Sequence, residues 1–250
     1  NGIGNEKPAD PPANFNRDLW LGPRPRRPYQ FNIAPYYFRW WNDYSSQMGN
    51  WGVHFMDGIR WMINQTAPVA ISAVGSKTTL SDDRTIPDTM AVLFEMPNGT
   101  IIHFDINEAS PGNRVPKREV MLCGTKGSLC VDENGYNLIP ARRGQFQTWE
   151  KPFEEETFDV QSDASYGDLG TKEDTTQNLI DNFVSCVRSR QQPYCSLEDA
   201  HRSTCFAHLA NISLALKQRI EWDPAAERIT NIPKANELLH YEYRKPWSLD

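Results

Sequence analysis

The sequence predicts an α+β fold in which helices pack on one face of an open, mostly antiparallel β-sheet. Runs rich in β-branched and aromatic residues follow one another through the middle of the chain, with Asn-Gly turns at two junctions. Two amphipathic helices come after these runs. Consecutive strands joined by tight turns pair antiparallel, unlike the parallel sheet of a nucleotide-binding domain.

The first 44 residues are predicted to form a proline-rich arm. Prolines and glycines interrupt this segment, as in Asp10-Pro11-Pro12 and Gly22-Pro23-Arg24-Pro25, so it cannot build a core alone. Between them we expect one helical turn from Asn16 to Leu21, ended by Gly22. The arm leads into a first long helix over residues 45–63, starting after Ser45-Ser46.

The strands that follow are predicted from their composition and from the turns between them. Pro97-Asn98-Gly99-Thr100 and Glu133-Asn134-Gly135-Tyr136 each contain the strongest short hairpin signal. The expected strands are 69–80, 89–96, 100–108, 118–123, 128–132 and 136–139, with one more near Phe158.

Two helices close the predicted domain, which spans residues 45–222. The first, 175–190, has an apolar stripe of Ile180, Phe183, Val184 and Val187. The second starts at the capping box Ser196-Leu197-Glu198-Asp199 and runs to about residue 219. Residues 223–250 are expected to be a tail packed on the domain. Because nothing in the chain covers the other face of the sheet, we expect a homodimer or tetramer formed through it.

Composition excludes several classes of protein. The net charge is −6 and the longest basic run is Arg24-Pro25-Arg26-Arg27, so no nucleic-acid partner is expected. No apolar run reaches the roughly 20 residues of a membrane helix. The five cysteines are odd in number and lack Cys-x-x-Cys spacing, which favours free buried thiols over disulfides or zinc, and no metal site is predicted.

The first long helix holds the candidate catalytic residues. Asn50, His54 and Asp57 are spaced i, i+4 and i+7, which places them on one helix face. The neighbouring apolar face is predicted to hold Trp51, Phe55, Ile59 and Met62. A histidine in a cleft could exchange a proton with a hydroxyl group, since its ordinary pKa of about 6.5 is close to neutrality. The alternative is a structural histidine bonded to Asp57 or to the neighbouring loop.

Two glycines in the same helix, Gly49 and Gly52, each cost up to about 1 kcal/mol relative to alanine. They suggest that something approaches the helix backbone closely.

The segment before this helix is the candidate substrate-binding region. Tyr36, Arg39, Trp41 and Tyr44 combine aromatic rings with a charged group. Rings cover the apolar face of a sugar and charged groups bond its hydroxyls, so these residues fit a carbohydrate. Ordinary packing beneath the arm is the alternative for Arg39 and Tyr44.

Several motifs together resemble the glucose–fructose oxidoreductase and inositol dehydrogenase family (Gfo/Idh/MocA). The helix reads Asn50-x-Gly52-x-His54-x-x-Asp57, where the family commonly has Asp-x-Gly-x-His-x-x-Asp. Further similar motifs are Asp18-Leu19-Trp20-Leu21-Gly22-Pro23, Gly124-Thr125-Lys126-Gly127-Ser128 and Tyr243-Arg244-Lys245-Pro246-Trp247. The likeness covers nearly the whole chain.

The resemblance implies a two-domain enzyme. Its first domain would be a Rossmann fold binding NAD or NADP, and its second an open antiparallel sheet that carries part of the substrate site and pairs with another subunit. His54 would be the acid/base for a sugar hydroxyl, with Asp57 orienting it.

Two features depart from the family pattern. Asn50 replaces an aspartate, and an amide cannot accept a proton or stabilise an imidazolium by charge. Gly2-Ile3-Gly4 lacks a third glycine, a preceding strand and a following helix, so no cofactor-binding residue is assigned in this chain. We therefore expect the Rossmann domain to be absent from the chain, and the chain alone to bind no cofactor and to be inactive.

The sequence thus predicts the substrate-binding and oligomerisation domain of an NAD(P)-dependent oxidoreductase acting on a small sugar or polyol. Two alternatives stay open. One is a domain of an NAD-using glycoside hydrolase or epimerase of the same architecture, and the other is a non-catalytic sugar-binding or assembly module. A bacterial cytoplasm and a periplasm are equally compatible with the sequence.

Overall fold

The computed structural model describes residues 2–110, 112, 118–132, 134–142, 151–159 and 175–248. The chain divides into two compact units. The first consists of Asn1–Pro111 together with Leu197–Asp250, and the second of Gly112–Ser196.

The first unit is a five-stranded antiparallel sheet with helices. Its strand order is β3-β2-β1-β8-β9. Its helices are α1 (Arg17–Leu21), a 3-10 turn (Tyr37–Trp40), a π turn (Met48–Gly52), α2 (Val53–Ile63), α4 (Leu197–Leu216) and a second 3-10 segment (Pro233–Leu239). Its strands are β1 (Ala70–Ser76), β2 (Thr89–Glu95), β3 (Ile101–Asn107), β8 (Ile220–Asp223) and β9 (Arg228–Ile229).

The core of this unit lies between the sheet and α4. Along β2 the side chains alternate, so that Met90, Val92 and Phe94 are buried while Leu93 faces outward. The Phe94 ring packs 5.0 Å from that of Phe206 on α4. Helix α4 contacts both β1 and α2, which places these helices on one face of the sheet.

The first Asn-Gly turn forms the hairpin that the sequence predicts. The Met96 N–H donates to Thr100 O and the Gly99 N–H donates to Met96 O, both at 2.9 Å. Gly99 has φ +84°, a conformation that glycine adopts without steric cost. Strands β2 and β3 then pair from Glu95↔Ile101 onward.

The second unit is a four-stranded antiparallel sheet with one helix. Its strand order is β4-β5-β6-β7. The elements are β4 (Val120–Cys123), β5 (Gly127–Asp132), β6 (Gly135–Pro140), β7 (Glu156–Asp159) and α3 (Thr175–Ser189). The second predicted turn includes Glu133, which lies outside the described residues, and the strands on either side of it pair from Asp132↔Gly135.

The α+β fold class with antiparallel pairing is confirmed, but the strands form two sheets where the sequence predicted one. The break falls between β3 and β4, where the sequence Pro111-Gly112 and a further proline at 116 interrupt the β pattern. Strands β8 and β9 were not predicted. Ile220 and Trp222 are buried on one side of β8. Two alternating apolar residues are too few to identify a strand from the sequence.

Cys123, Cys130, Cys186 and Cys205 are free thiols. Cys130 is buried as expected, whereas Cys123 and Cys195 are exposed, so the prediction of buried thiols is wrong for these two. In the described residues, no helix has the length and apolar character needed to cross a membrane.

Candidate functional site

The helix that carries His54 is anchored at its start by a buried serine. The Ser46 hydroxyl accepts a 2.9 Å hydrogen bond from the Gly49 N–H, as a helix-capping residue does. The same oxygen accepts a 2.9 Å bond from the Asn211 amide of α4. The predicted start after Ser45-Ser46 therefore has a clear physical basis.

The first turns of this helix are π-helical, which the sequence did not predict. Asn50 lies within the π turn and is partly buried, whereas His54 and Asp57 lie on α2 and are exposed. A π turn bonds residue i to i+5, so a spacing of four residues across it does not align side chains as in an α-helix. Within the described residues, no hydrogen bond joins any two of these three side chains.

The π turn also changes which apolar side chains are buried. Met48, Met56 and Ile59 face the core, whereas Trp51 is 62% exposed. The predicted apolar face of Trp51, Phe55, Ile59 and Met62 is therefore wrong for Trp51. The prediction assumed an uninterrupted period of 3.6 residues.

The close approach inferred from the helix glycines is intramolecular. A methyl group added at Gly52 would lie 3.1 Å from Met48 Cε, and one at Gly49 would lie 3.3 Å from Ser45 Oγ. Both glycines thus allow tight packing in the first turn of the helix.

His54 is exposed, and the ring of Trp51 is its neighbour. The two ring centroids are 6.3 Å apart with the planes at 64°. This arrangement leaves the imidazole open to solvent and bordered by an aromatic surface.

Asp57 is engaged with α4. Its Oδ1 accepts a 2.7 Å hydrogen bond from the Ser203 hydroxyl. Ser203 in turn accepts a 2.6 Å bond from Arg60 Nη1, which lies 3.8 Å from Asp57 Oδ1. Arg60 is 6% exposed and also donates to Thr66 O. These three side chains join α2 to α4, and we call them the Asp57–Ser203–Arg60 bridge.

The segment before the helix presents a patch of two exposed tyrosines, a half-buried tryptophan and a half-buried arginine. Tyr36, Tyr37, Arg39 and Trp40 form this patch, which we call the aromatic–arginine patch. The Arg39 guanidinium lies 4.1 Å from the Tyr36 ring centroid and donates to the Tyr36 hydroxyl at 3.1 Å. Arg39 Nε is buried with no hydrogen-bond partner among the described residues.

An ion network supports this patch from below. Trp40 Nε1 donates to Glu108 Oε1, and Glu108 Oε2 accepts from Arg84 Nη1, both at 2.5 Å. Arg84 is buried and also donates to Asp82. Burial alone would lower the pKa of Arg84, but the hydrogen bond to Asp82 and the charge of Glu108 outweigh it and raise that pKa.

The other two predicted substrate-binding residues, Trp41 and Tyr44, pack against residues of the arm. Trp41 is 4% exposed and its indole N–H donates to Asn32 O at 2.8 Å. The Tyr44 ring is half-buried, 5.0 Å from that of Trp20. Burial raises the pKa of Tyr44 against the opposing charge of Arg27.

The Gly2-Ile3-Gly4 segment does not fit a dinucleotide. The Ile3 N–H donates to Asp82 Oδ2 at 2.8 Å, and the Glu6 N–H donates to Asp83 Oδ2 at 2.7 Å. Pyrophosphate binding needs free backbone amides and no nearby negative charge. Carboxylates occupy these amides, and they would repel a pyrophosphate.

Sequence reasoning missed the residues that hold the site together. Arg60 and Ser203 belong to the bridge between α2 and α4, and Glu108 and Arg84 support Trp40. The spacing of Asp57 and Arg60, three residues apart on the same helix, was the available signal, because a buried arginine needs acceptors. Their partners on α4 and after β3 are distant in sequence and could not be read from a local pattern.

Two family models match the chain. Residues 22–130 match the GFO/IDH/MocA C-terminal domain, and residues 165–249 match the C-terminal alpha/beta domain of an oxidoreductase family. A comparison with curated proteins gives no match.

Solved structures share the fold at low sequence identity. An aldose-aldose oxidoreductase from Caulobacter crescentus, complexed with glycerol, has a TM-score of 0.54 at 11% identity, over 74% of this chain and 50% of its own. An oxidoreductase from Thermotoga maritima has a TM-score of 0.53 at 18% identity, over 81% and 51%. An NAD-binding protein from Listeria innocua has a TM-score of 0.51 at 14% identity, over 75% and 55%.

The chain spans about half the length of these structures. The two family models together cover most of its residues, from 22 to 130 and from 165 to 249. The chain therefore belongs to the Gfo/Idh/MocA family of oxidoreductases and represents their C-terminal domain.

Proposed function

We propose that this domain binds a small sugar or polyol for an NAD(P)-dependent oxidoreductase, and that His54 exchanges a proton with the substrate hydroxyl. The observation that carries the proposal is the exposed imidazole of His54 on a helix that the Asp57–Ser203–Arg60 bridge holds against α4. A general acid or base must reach the substrate while its backbone stays fixed.

The chemistry of the other side chains agrees with this role. Asn50, in the π turn, can donate and accept hydrogen bonds to hydroxyl groups but cannot carry a proton. Short π segments inside helices occur frequently at functional sites. Asp57 is a positioning residue. Its Oδ1 accepts a hydrogen bond from Ser203, and this contact fixes the helix that carries His54.

The aromatic–arginine patch is the proposed sugar-binding surface. Tyr36 is 56% exposed, and Arg39 next to it carries a buried donor that lacks a partner among the described residues. Trp41 and Tyr44 would act by supporting the segment from within, since Trp41 is in the core. A structure with the same fold is an aldose-aldose oxidoreductase complexed with glycerol, which agrees with a polyhydroxylated ligand.

The nicotinamide cofactor would be held outside this chain. The family match and the NAD-binding protein of the same fold support NAD or NADP in the complete enzyme. Because the amides near Gly2 and Gly4 are bonded to carboxylates, we assign no cofactor contact to these residues.

We also propose that the outer face of the five-stranded sheet pairs with a second copy of the chain. Val74, Leu93 and Ile101 project from three adjacent strands and are 70%, 44% and 56% exposed. A sheet with apolar residues on its open face is suited to association with another sheet. Sedimentation of the wild type and of Leu93→Glu tests this, because a charge at the centre of the face should yield monomers.

The decisive experiment is steady-state kinetics of the complete enzyme with NAD or NADP and a panel of sugars and polyols. His54→Ala should lower kcat by about 10²- to 10⁴-fold. His240→Ala removes an exposed histidine of the tail and is the matched control, expected to leave kcat unchanged. Wild-type turnover by His54→Ala would contradict the acid–base role and favour a non-catalytic module.

A second variant separates binding from chemistry. Tyr36→Ala should raise KM while changing kcat little, because the ring would contribute to substrate and transition-state binding alike. An unchanged KM would remove the aromatic–arginine patch from the substrate site.

A further inference from the structure

The arm forms an open cavity, and three of the six residues that line it are arginines. Its volume is about 310 Å³. The residues that line it are Arg17, Asp18, Leu21, Arg26, Arg27 and Pro28. All belong to α1 and the segment that follows it, and none belongs to the helix of His54.

Two features of the sequence bring these arginines together. Helix α1 ends at Gly22, whose N–H donates to Asp18 O at 3.1 Å. Arg26 then reaches back and pairs with Asp18 at 3.1 Å. The cationic side chains of two short segments therefore meet around one space.

The positive charges in this cluster outnumber the negative ones. Asp18 is shared between Arg26 and Arg244, at 3.1 and 3.0 Å, and Arg27 pairs with Asp43 at 3.1 Å. Arg17 has no ion pair or side-chain hydrogen bond to another described residue. Four arginines thus face two carboxylates, which leaves two positive charges in a protein whose net charge is −6.

Arg27 is held in place before any ligand arrives. Its guanidinium lies 4.4 Å from the centroid of the Trp41 ring and donates to Asp43 at 3.1 Å. Its Nε is buried and has no hydrogen-bond partner in the described part of the chain. A guanidinium held in this way loses little entropy on binding an oxyanion.

We propose that this cavity is a binding site for a phosphoryl group, with Arg17 and Arg27 as its main donors. A dianionic phosphate matches the local excess of two positive charges, and guanidinium groups bind phosphate oxygens through charge-assisted hydrogen bonds. The volume lies at the lower end of the range for small-molecule sites, so it accepts a phosphoryl group with a small part of the attached molecule. This inference is independent of the role proposed for His54.

Isothermal titration calorimetry of the full chain with inorganic phosphate tests the site. The titrations are done at constant ionic strength against sodium chloride, because salt screens exposed charges. Saturable binding of one phosphate per chain in the millimolar range or tighter is expected. Arg17→Gln and Arg27→Gln should each weaken it roughly tenfold, the effect of losing a hydrogen bond to a charged group.

Arg228→Gln is the matched control, since it removes an exposed arginine of the same unit that does not line the cavity. It should leave phosphate binding unchanged. Absence of saturable binding by the wild type, or equal weakening in Arg228→Gln, would overturn the proposal. Because Arg27 also packs on Trp41, Arg17→Gln decides the outcome if Arg27→Gln does not fold.

Discussion

The hydroxyl of Ser203 on α4 donates a 2.7 Å hydrogen bond to Asp57 on α2, although the two residues are 146 positions apart in the sequence. The same hydroxyl accepts a hydrogen bond from Arg60, so one uncharged side chain links a carboxylate to a buried guanidinium. The orientation of the His54 helix relative to α4 therefore depends in part on polar contacts between the two helices.

Loss of that hydroxyl should destabilise the first unit. Ser203→Ala leaves the Arg60 guanidinium, which is 6% exposed, without one of its acceptors. An unsatisfied buried polar group costs about 1–3 kcal/mol, so the free energy of unfolding should fall by this amount. Urea titration followed by circular dichroism measures it. Ser81→Ala, at an exposed position, should change stability by less than about 0.5 kcal/mol.

Replacing each of two glycines of the same helix by alanine should change the stability of the protein in opposite directions. Gly52→Ala places a methyl group 3.1 Å from the fully buried Met48 side chain, and overpacking of this kind costs about 1–3 kcal/mol. At Gly58 an added methyl group meets nothing within 4 Å, so Gly58→Ala should stabilise by about 0.5–1 kcal/mol. Thermal unfolding of both variants compares them directly.

The double variant Gly52→Ala/Met48→Leu provides a check on the cause. Leucine lacks the terminal methyl carbon that the new side chain would approach, so the two substitutions should be less destabilising together than their sum. Simple additivity would show that the contact with Met48 is not the reason for the glycine.

Because of Asp88, the stability of the protein should decrease at acidic pH. Burial alone would raise its pKa, but hydrogen bonds from the backbone amides of Leu80, Thr78 and Thr79 outweigh it and lower the pKa well below the usual range. The unfolded state, with an aspartate pKa of about 3.9, then binds the proton more readily than the folded state. The stabilisation is present at neutral pH and decreases as the pH falls below about 5.

Asp88→Asn removes this titration. At pH 7 the variant should be less stable than the wild type by on the order of 2 kcal/mol, because its amide cannot accept all of these bonds. The difference should narrow as the pH is lowered toward 2, as measured by urea unfolding at each pH. A constant difference across this range would contradict the assignment.

Glu108 should couple the aromatic–arginine patch to the buried Arg84. Glu108→Ala removes the acceptor of Trp40 Nε1 and one of the two carboxylates facing Arg84. Because Glu108 is 21% exposed, we expect a loss of about 2–3 kcal/mol, below the 3–5 kcal/mol typical of breaking a fully buried pair. Guanidinium unfolding gives this value, and tryptophan fluorescence should report the altered environment of Trp40. Glu108→Gln, which keeps an acceptor for Trp40, should change the fluorescence less.

Local signals in the sequence were sufficient for most of the secondary structure. The Asn98-Gly99 turn, the short helix α1 ended by Gly22 and the stripe that identifies α3 all depend on residues close together in the sequence, and the structure contains each of these elements. They could be predicted because a turn, a cap or an amphipathic period depends on neighbouring residues. The π turn at Met48–Gly52 could not be predicted, because its sequence resembles the start of an ordinary α-helix. In the structure this turn packs against α4.

By itself the sequence determined the α+β class, the antiparallel pairing, the family and the residues worth testing around His54. Those properties follow from periodicity, turn chemistry and recurring motifs, which are local. Only the tertiary structure decided that Asp57 bonds to Ser203, that Trp41 lies in the core while Tyr36 is exposed, and that three arginines of the arm line one open cavity. These relationships join side chains from separate segments, and their geometry depends on how the whole unit packs.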